Sequence, residues 1–167
     1  MAKYLSNNAG TVTEIQPVTT SAGAADAAKL AQLDGTGRLD NSVMPVGIGA
    51  DTDVVQASEA LAAGDFVNVH DVAGAFRCRK ADATVSGKQA DGFVLAAVAS
   101  AANATIYSEG KNTAVTAQTP GVKFLATTAG TATATSPSGA GNVSQRIGTA
   151  MSATVINFEP QQPIQLV

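Results

Sequence analysis

The only histidine of the chain, His70, is followed directly by Asp71. A histidine near an acid suggests the general base of a serine hydrolase, in which the acid orients the ring and a serine lies beyond it. Phe66 to Asp71 alternate as a strand does, so His70 and Asp71 are predicted to point to opposite faces. We therefore expect His70 to be an ordinary strand residue and predict no catalytic residue, which leaves a small hydrolase as the least favoured interpretation.

The only cysteine, Cys78, lies among Arg77, Arg79 and Lys80. Positive neighbours lower the pKa of a thiol and can make it reactive. Strand alternation, however, places Cys78 on the same face as Phe76 and both arginines on the other face. This pattern predicts that Cys78 is a small buried apolar residue rather than a nucleophile.

Metal and cofactor sites are not predicted by the remaining polar residues. One histidine and one cysteine cannot supply the four ligands of a structural zinc site. Asp51 and Asp53 lie two residues apart, and Asp34 and Asp40 flank a turn, but neither pair fits a calcium-binding loop. The glycine pairs fit neither the dinucleotide-binding loop nor the P-loop. We expect no metal, no cofactor and no enzymatic activity.

The elements that would position these residues are predicted to be strands. Between residues 51 and 167, short apolar or alternating segments are separated by turn signals such as Ala73-Gly74 and Asp91-Gly92. This spacing favours an all-β fold, either a small barrel or a sandwich. The continuous apolar run Gly92–Val98 is predicted to be a strand buried on both faces. Asp53–Ala63 is the one plausible helix here, although Val54-Val55 could equally begin a strand.

The strands predicted in this domain have the following approximate bounds: 66–71, 76–80, 92–98, 104–108, 122–127, 131–135, 146–151 and 154–158.

Residues 1–20 are predicted to form an extended N-terminal arm. Val12, Ile15 and Val18 are separated by polar residues, and Pro17 disfavours a helix. Such a segment has no continuous apolar face to bury by itself.

Residues 21–50 are predicted to be a connector and linker. Ala24–Leu33 is compatible with a short helix, but it leads into a turn cluster at Asp34–Gly37. We favour a hairpin with strands at Lys29–Leu33 and Arg38–Val43. Pro45, Gly47 and Gly49 then form a linker to the domain at 51–167.

Composition and charge narrow the possible partners. Ala, Thr and Gly supply 67 of the 167 residues, while Leu, Ile, Val and Phe supply 36. The share of these four large apolar residues is therefore close to the roughly 20% level below which disorder is expected. We therefore expect part of the stability to come from other subunits.

The net charge of −3 and the scattered basic residues disfavour nucleic acid as a partner. No apolar run is long enough for a membrane span or a signal peptide, and the lone cysteine fits synthesis in a reducing cytoplasm.

Two stretches resemble structural proteins of tailed-phage virions. Residues 25–45 resemble a connector whose core has the pattern Leu-Asp-x-x-Gly-Arg-Leu-Asp-x-Ser-x-Met-Pro, and residues 33–45, LDGTGRLDNSVMP, match that core. Residues 91–159 resemble the β module of phage head-decoration, or capsid cement, proteins. The matching segments are DGFVLA at 91–96, TPG at 119–121, SGAGNVSQRIG at 138–148 and SAT at 152–154.

The resemblance implies a virion protein on the outer capsid surface, made in the cytoplasm of a bacterial host. It implies a homotrimer that clamps neighbouring copies of the major capsid protein. We expect the arm to contact the capsid and the connector to contact other subunits. The arm residues in this hypothesis are Tyr4, Leu5, Val12 and Ile15, and the interface residues are Leu33, Leu39, Val43 and Met44.

Two alternatives stay open. The protein could instead be a tail-fibre or baseplate component that binds a host receptor. The connector hairpin could also fold back on the β domain of its own chain instead of packing against other subunits.

Overall fold

A computed structural model describes residues 3–44 and 51–167, which fall into two compact units, Met1–Gly49 and Ala50–Val167. The regular structure is almost all β, as the sequence predicts, and the second unit contains a closed barrel. The predicted linker glycines Gly47 and Gly49, with Pro45, lie outside the described residues.

The first unit begins with a two-stranded hairpin, which lies within the segment predicted to be an extended arm. Strands β1 (Tyr4–Asn8) and β2 (Thr11–Ile15) pair antiparallel. Ala9 and Gly10 both have positive φ, at 50° and 90°, which is the geometry of a two-residue hairpin turn. The Asn7 side chain accepts a hydrogen bond from the Gly10 amide at 2.9 Å and stabilises this turn.

The connector hairpin predicted at Lys29–Leu33 and Arg38–Val43 is not formed. The segment instead contains two 3₁₀ helices, Gly23–Asp26 and Asn41–Val43, and a single parallel bridge between Val18 and Ala31. The predicted turn does exist, because the Asp34 amide donates to the Arg38 carbonyl at 2.7 Å. Asp34 and Asp40 explain the missing strands. Their carboxylates bind nearby N–H groups that a strand ladder would otherwise use.

The second unit has the following strands: β3 (Thr52–Ala57), β4 (Phe66–Val72), β5 (Ala75–Lys80), β6 (Gly92–Phe93), β7 (Asn103–Tyr107), β8 (Gly110–Asn112), β9 (Gly121–Leu125), β10 (Ala132–Thr133), β11 (Val143–Ser144), β12 (Arg146–Ser152), β13 (Val155–Phe158) and β14 (Ile164–Gln165).

These strands form a barrel, an open sheet and a short strand pair. The barrel order is β3-β5-β4-β6-β7, closed by the pairing of β7 with β3, and the β3–β5 pair is parallel. The open sheet has the order β10-β9-β12-β13-β8, and β11 pairs with β14. The possible helix at Asp53–Ala63 is therefore a strand, β3, followed by a loop. Val55 and Ala57 alternate into the barrel while Val54 faces outward, which is a strand period.

Two hydrophobic cores hold this unit together. The barrel interior contains Val67, Val94 and Ile106, whereas Phe66 and Phe93 belong to a second core shared with the open sheet. Adjacent residues of β4 thus enter different cores. The same is true at Phe93-Val94, so the apolar run is buried on both sides there, as predicted. The strand ends at Phe93, however, and Ala96 and Ala97 farther along the run are exposed.

A glycine fixes the geometry of the open sheet at a bulge in β12. Gly148 has a φ of 144°, and a Cβ built there would lie 2.0 Å from the Asn157 carbonyl oxygen. Only glycine allows β12 and β13 to approach this closely.

Candidate interaction surface

The first unit has no core of its own. Among residues 3–44, no side chain that the structure describes is buried. The second unit, by contrast, buries complete side chains such as Phe66, Phe158 and Leu125. Because burial of apolar surface is the main force that orders a chain, the first unit lacks the usual internal source of stability.

The four residues predicted to contact a capsid fall into two pairs on opposite faces of the β1–β2 hairpin. Leu5 and Val12 lie on one face and are 71% and 62% exposed. Tyr4 and Ile15 are opposite each other on the other face and are half-buried. The Tyr4 hydroxyl accepts a hydrogen bond from the Leu30 amide at 3.2 Å. Only Leu5 and Val12 are therefore presented for contact with another molecule.

The connector is stabilised by two aspartates. Asp34 Oδ1 accepts hydrogen bonds from the amides of Thr36 and Arg38 at 2.8 and 3.0 Å. The Thr36 hydroxyl, followed by these amides, lowers the pKa of Asp34. Asp40 Oδ1 accepts from the Ser42 amide at 2.9 Å and caps the second 3₁₀ helix. These local bonds fix the loop without burying apolar surface.

The four predicted interface residues also divide into two pairs. Leu33 and Leu39 are 57% and 44% exposed. Val43 and Met44 are half-buried and line a cavity of about 410 Å³ together with Val18. The structure thus leaves the two leucines available to a partner and places Val43 and Met44 beside their own unit's loops.

The structure brings a serine to His70, which sequence reasoning missed. Ser58 Oγ lies 3.2 Å from His70 Nε2. No short motif links a residue at the end of β3 to one on β4, so the sequence carried no signal for this pair. His70 Nδ1 is buried and has no hydrogen-bond partner among the described residues. A Ser-His-Asp triad would require an acid at that atom, so the pair stands without its third member.

His70 carries little charge at neutral pH. Burial, followed by the positive charge of Arg79, lowers the pKa of its ring, and this outweighs the opposite effects of the Asn68 backbone, Asp71 and Glu59. The ring therefore acts as a neutral donor and acceptor beside Ser58.

Cys78 is buried, as predicted from strand alternation. Burial raises the pKa of its thiol, so the nearby arginines do not activate it. Phe76, which was expected on the same buried face, is 77% exposed. The reason is its position two residues closer to the tip of the β4–β5 hairpin, where the strands extend past the barrel core.

Within residues 3–44 and 51–167, no cluster of histidine, cysteine or acidic residues has the arrangement of a metal site. The same part of the chain contains no helix that is long and apolar enough to span a membrane.

Comparison of the chain with known protein families, with curated proteins and with solved structures finds no match in any of the three.

Proposed function

We propose that this protein is a virion structural protein that binds the outside of a tailed-phage capsid and clamps neighbouring copies of the major capsid protein. One observation carries the proposal. A unit with no buried side chain in its described part precedes a β unit that has two hydrophobic cores. A protein that holds neighbouring capsid subunits together needs one unit with a stable core and one segment whose apolar side chains are free to pack against the capsid.

The first unit gains stability when a partner covers it. Leu5 and Val12 lie on one face of a two-stranded hairpin, and such hairpins are at best marginally stable alone in water. A capsid surface that covers this face would bury both side chains. Segments that become ordered on binding can cover wide surfaces, which suits contact with more than one capsid subunit.

The resemblance supports a capsid as the partner. The connector pattern at Leu33–Pro45 resembles one in virion proteins, and the four segments between residues 91 and 159 resemble the β module of head-decoration proteins. A homotrimer fits the local threefold positions of an icosahedral shell, since each subunit meets an equivalent site. The exposed Leu33 and Leu39 are the residues that we assign to contacts between subunits.

A binding assay tests the proposal directly. Purified protein is incubated with expanded, undecorated heads of the phage that encodes it, and bound protein is measured by co-sedimentation. We expect stoichiometric binding by the natural chain and a loss of at least about tenfold in affinity for the double variant Leu5→Asp/Val12→Asp, since two apolar contacts are removed.

Met151→Asp is the matched control, because Met151 is also an exposed apolar residue, at 58%, but lies in the second unit. We expect it to bind as the natural chain does. Failure of the natural chain to bind heads, or full binding by the double variant, would contradict the proposal.

A receptor-binding role in a tail fibre or baseplate is the second candidate. It is favoured by Phe76, an aromatic side chain that is 77% exposed near the tip of the β4–β5 hairpin, since aromatic residues are enriched at binding surfaces. Binding to host cells but not to heads, abolished by Phe76→Ala, would support this role and exclude capsid decoration.

A further inference from the structure

A small cavity of about 330 Å³ opens on the outer wall of the barrel. The side chains that line it include Ser58, His70, Val72, Arg77 and Ser100. Its volume is at the low end of the range seen for small-molecule sites, which is roughly 300–1,000 Å³. A ligand the size of one sugar ring or one amino acid would fill it.

Strand pairing places the polar groups together. His70 and Arg77 are direct partners across β4 and β5, and Arg77 is also paired with Gln56 of β3. Paired residues share a face of a sheet. The neighbours Val69 and Cys78 face the barrel core, so His70 and Arg77 point outward by alternation.

Arg77 differs from its basic neighbours Arg79 and Lys80 in the partners of its side chain. Its side chain is half-buried and makes no ion pair or hydrogen bond with the described residues. Arg79, by contrast, donates to Asn68 Oδ1 at 3.0 Å and to the Gly87 carbonyl at 2.8 Å. Lys80 pairs with Asp65 at 3.4 Å. A half-buried guanidinium without a partner has unused capacity to bind an anion.

The two nearby acids lie outside the lining of the cavity and bind backbone amides. Glu59 accepts a hydrogen bond from the Lys80 amide at 2.9 Å, and Asp71 accepts one from the Gly74 amide at 3.2 Å. Neither acid lines the cavity. Among the residues that line the cavity, Arg77 carries the charged side chain.

Neutral hydrogen-bonding groups surround that charge. Ser58 Oγ contacts His70 Nε2 at 3.2 Å, and the Ser100 hydroxyl donates to the Ser58 carbonyl at 3.3 Å. Both hydroxyls can reorient to donate to a ligand or accept from it. Val72 is 45% exposed and adds an apolar surface at the edge of the cavity.

We propose that this cavity binds an acidic monosaccharide, such as the uronic acid or sialic acid residue of a glycan. The carboxylate would form the paired hydrogen bonds that a guanidinium offers. The sugar hydroxyls would bind Ser58, His70 and Ser100, and a C–H face of the ring would pack on Val72. An Asp or Glu side chain of a protein partner would satisfy Arg77 alone and leave the remaining polar groups unused. The inference is independent of the proposed capsid role.

Titration of the full-length, ¹⁵N-labelled protein with D-glucuronate, followed by NMR, tests the proposal. D-glucose is the neutral control ligand and inorganic phosphate is the control anion. We expect saturable shifts centred on residues 58, 70, 77 and 100 with glucuronate and no saturable shifts at those residues with glucose. Absence of shifts with glucuronate, equal shifts with glucose, or tighter binding of phosphate would overturn the proposal.

Two variants test whether the Arg77 guanidinium binds the carboxylate of the ligand. Arg77→Gln should weaken glucuronate binding by at least about tenfold, because a charge-assisted hydrogen-bonded contact is lost. Lys111→Gln is the matched control, since Lys111 is an exposed cation elsewhere in the same unit, and it should leave the affinity unchanged. Equal weakening by both variants would show a general charge effect and overturn the site.

Ser100→Ala tests the same site at a second contact and does so even if the Arg77 variant does not fold. Ser100 is exposed and lies in a loop, so its loss should leave the fold intact. We expect severalfold weaker glucuronate binding, and full affinity in this variant would contradict the assigned contacts.

Discussion

The side chain of Gln145 pairs with the backbone of Ala90 as a strand would. Gln145 Oε1 accepts from the Ala90 amide at 2.8 Å, and Nε2 donates to the Ala90 carbonyl at 3.0 Å. Both residues are buried. A single amide side chain thus satisfies both backbone polar groups of a residue 55 positions away along the chain.

Gln145→Leu should therefore lower the free energy of unfolding by about 1–3 kcal/mol, because it leaves the buried N–H and C=O of Ala90 without partners. Urea denaturation measures the loss. Gln162→Leu is the control, since Gln162 is exposed, and it should change stability by less than about 0.5 kcal/mol. A loss of similar size in both variants would show that the Ala90 pairing is unimportant.

Ionisation of Asp91 should lower the stability of the fold as pH rises, which is the reverse of the usual effect of a carboxylate in a folded protein. Burial raises the pKa of its carboxyl, although Val69 and Asn68 donate to it at 2.8 Å. A raised pKa in the folded state means that ionised Asp91 destabilises the fold. That cost is complete above the folded pKa and disappears as pH falls to the ordinary value of the unfolded chain. Asp91→Asn should thus be at least as stable as the natural chain at pH 7, with an advantage that shrinks as pH falls towards 4.

Asp82→Asn should change the stability at pH 7 in the opposite direction. Burial acts to raise the pKa of Asp82, but hydrogen bonds from Thr84 and Lys88 outweigh it and lower the pKa. This variant should be less stable than the natural chain at pH 7, with a deficit that shrinks as pH falls through the folded pKa. Urea midpoints at several pH values measure both variants. The same sign of difference at pH 7 for the two would contradict these assignments.

Cys78→Ser should lower the free energy of unfolding by about 1–3 kcal/mol. Cys78 Sγ lies 3.8 Å from the Val55 carbonyl oxygen, which is too far for a hydroxyl hydrogen bond of about 2.5–3.0 Å. The serine hydroxyl would then be buried without a partner. Cys78→Ala, which introduces no polar group, is the control in the same denaturation assay and should cost less. A serine variant as stable as the natural chain would mean that the hydroxyl finds a partner.

Deletion of residues 2–20 should leave the cooperative unfolding of the second unit intact. The β1–β2 hairpin contributes no buried residue to either hydrophobic core. We expect the free energy of unfolding to change by less than about 1 kcal/mol in urea denaturation, while the proposed attachment to capsids weakens. Loss of the cooperative transition in the truncated chain would show that the second unit depends on this hairpin.

Leu39→Asp should dissociate the proposed oligomer while the second unit keeps its melting transition. Leu39 is 44% exposed on the connector, and a charge there would oppose burial against another subunit. Sedimentation velocity at roughly tens of micromolar, a range in which weak oligomers form, measures the change. Asn41→Asp adds the same charge nearby without removing an apolar side chain and should remain oligomeric. An oligomeric Leu39→Asp variant, or a monomeric natural chain, would contradict the assignment.

Local pattern was sufficient for much of the second unit. Alternation over Phe66–Asp71 and Phe76–Lys80, with the Ala73-Gly74 turn between them, predicts the β4–β5 hairpin that the structure contains. The burial of Cys78 follows from the same two-residue period. These features depend on neighbours along the chain, and such information is present in the sequence.

The first unit was harder to predict because it has little apolar pattern. Asn7 and Gly10 were usable turn signals for the β1–β2 hairpin, since glycine tolerates a positive φ and an asparagine side chain can bind the backbone of a turn. The connector was predicted as a hairpin because turn residues lie between leucines. Side-chain bonds from Asp34 and Asp40 competed successfully with strand pairing, and a binary apolar pattern does not register that competition.

The β class, the main turns and the burial of Cys78 follow from side-chain period and backbone preference, which can be read along the chain. Contacts between distant residues follow from the tertiary structure instead. The parallel pairing of β3 with β5 brings Ser58 to the His70–Arg77 pair of the β4–β5 hairpin, and packing of the open sheet brings Gln145 to Ala90. Strand order and register depend on how the whole chain buries its apolar surface, and short-range patterns do not specify this.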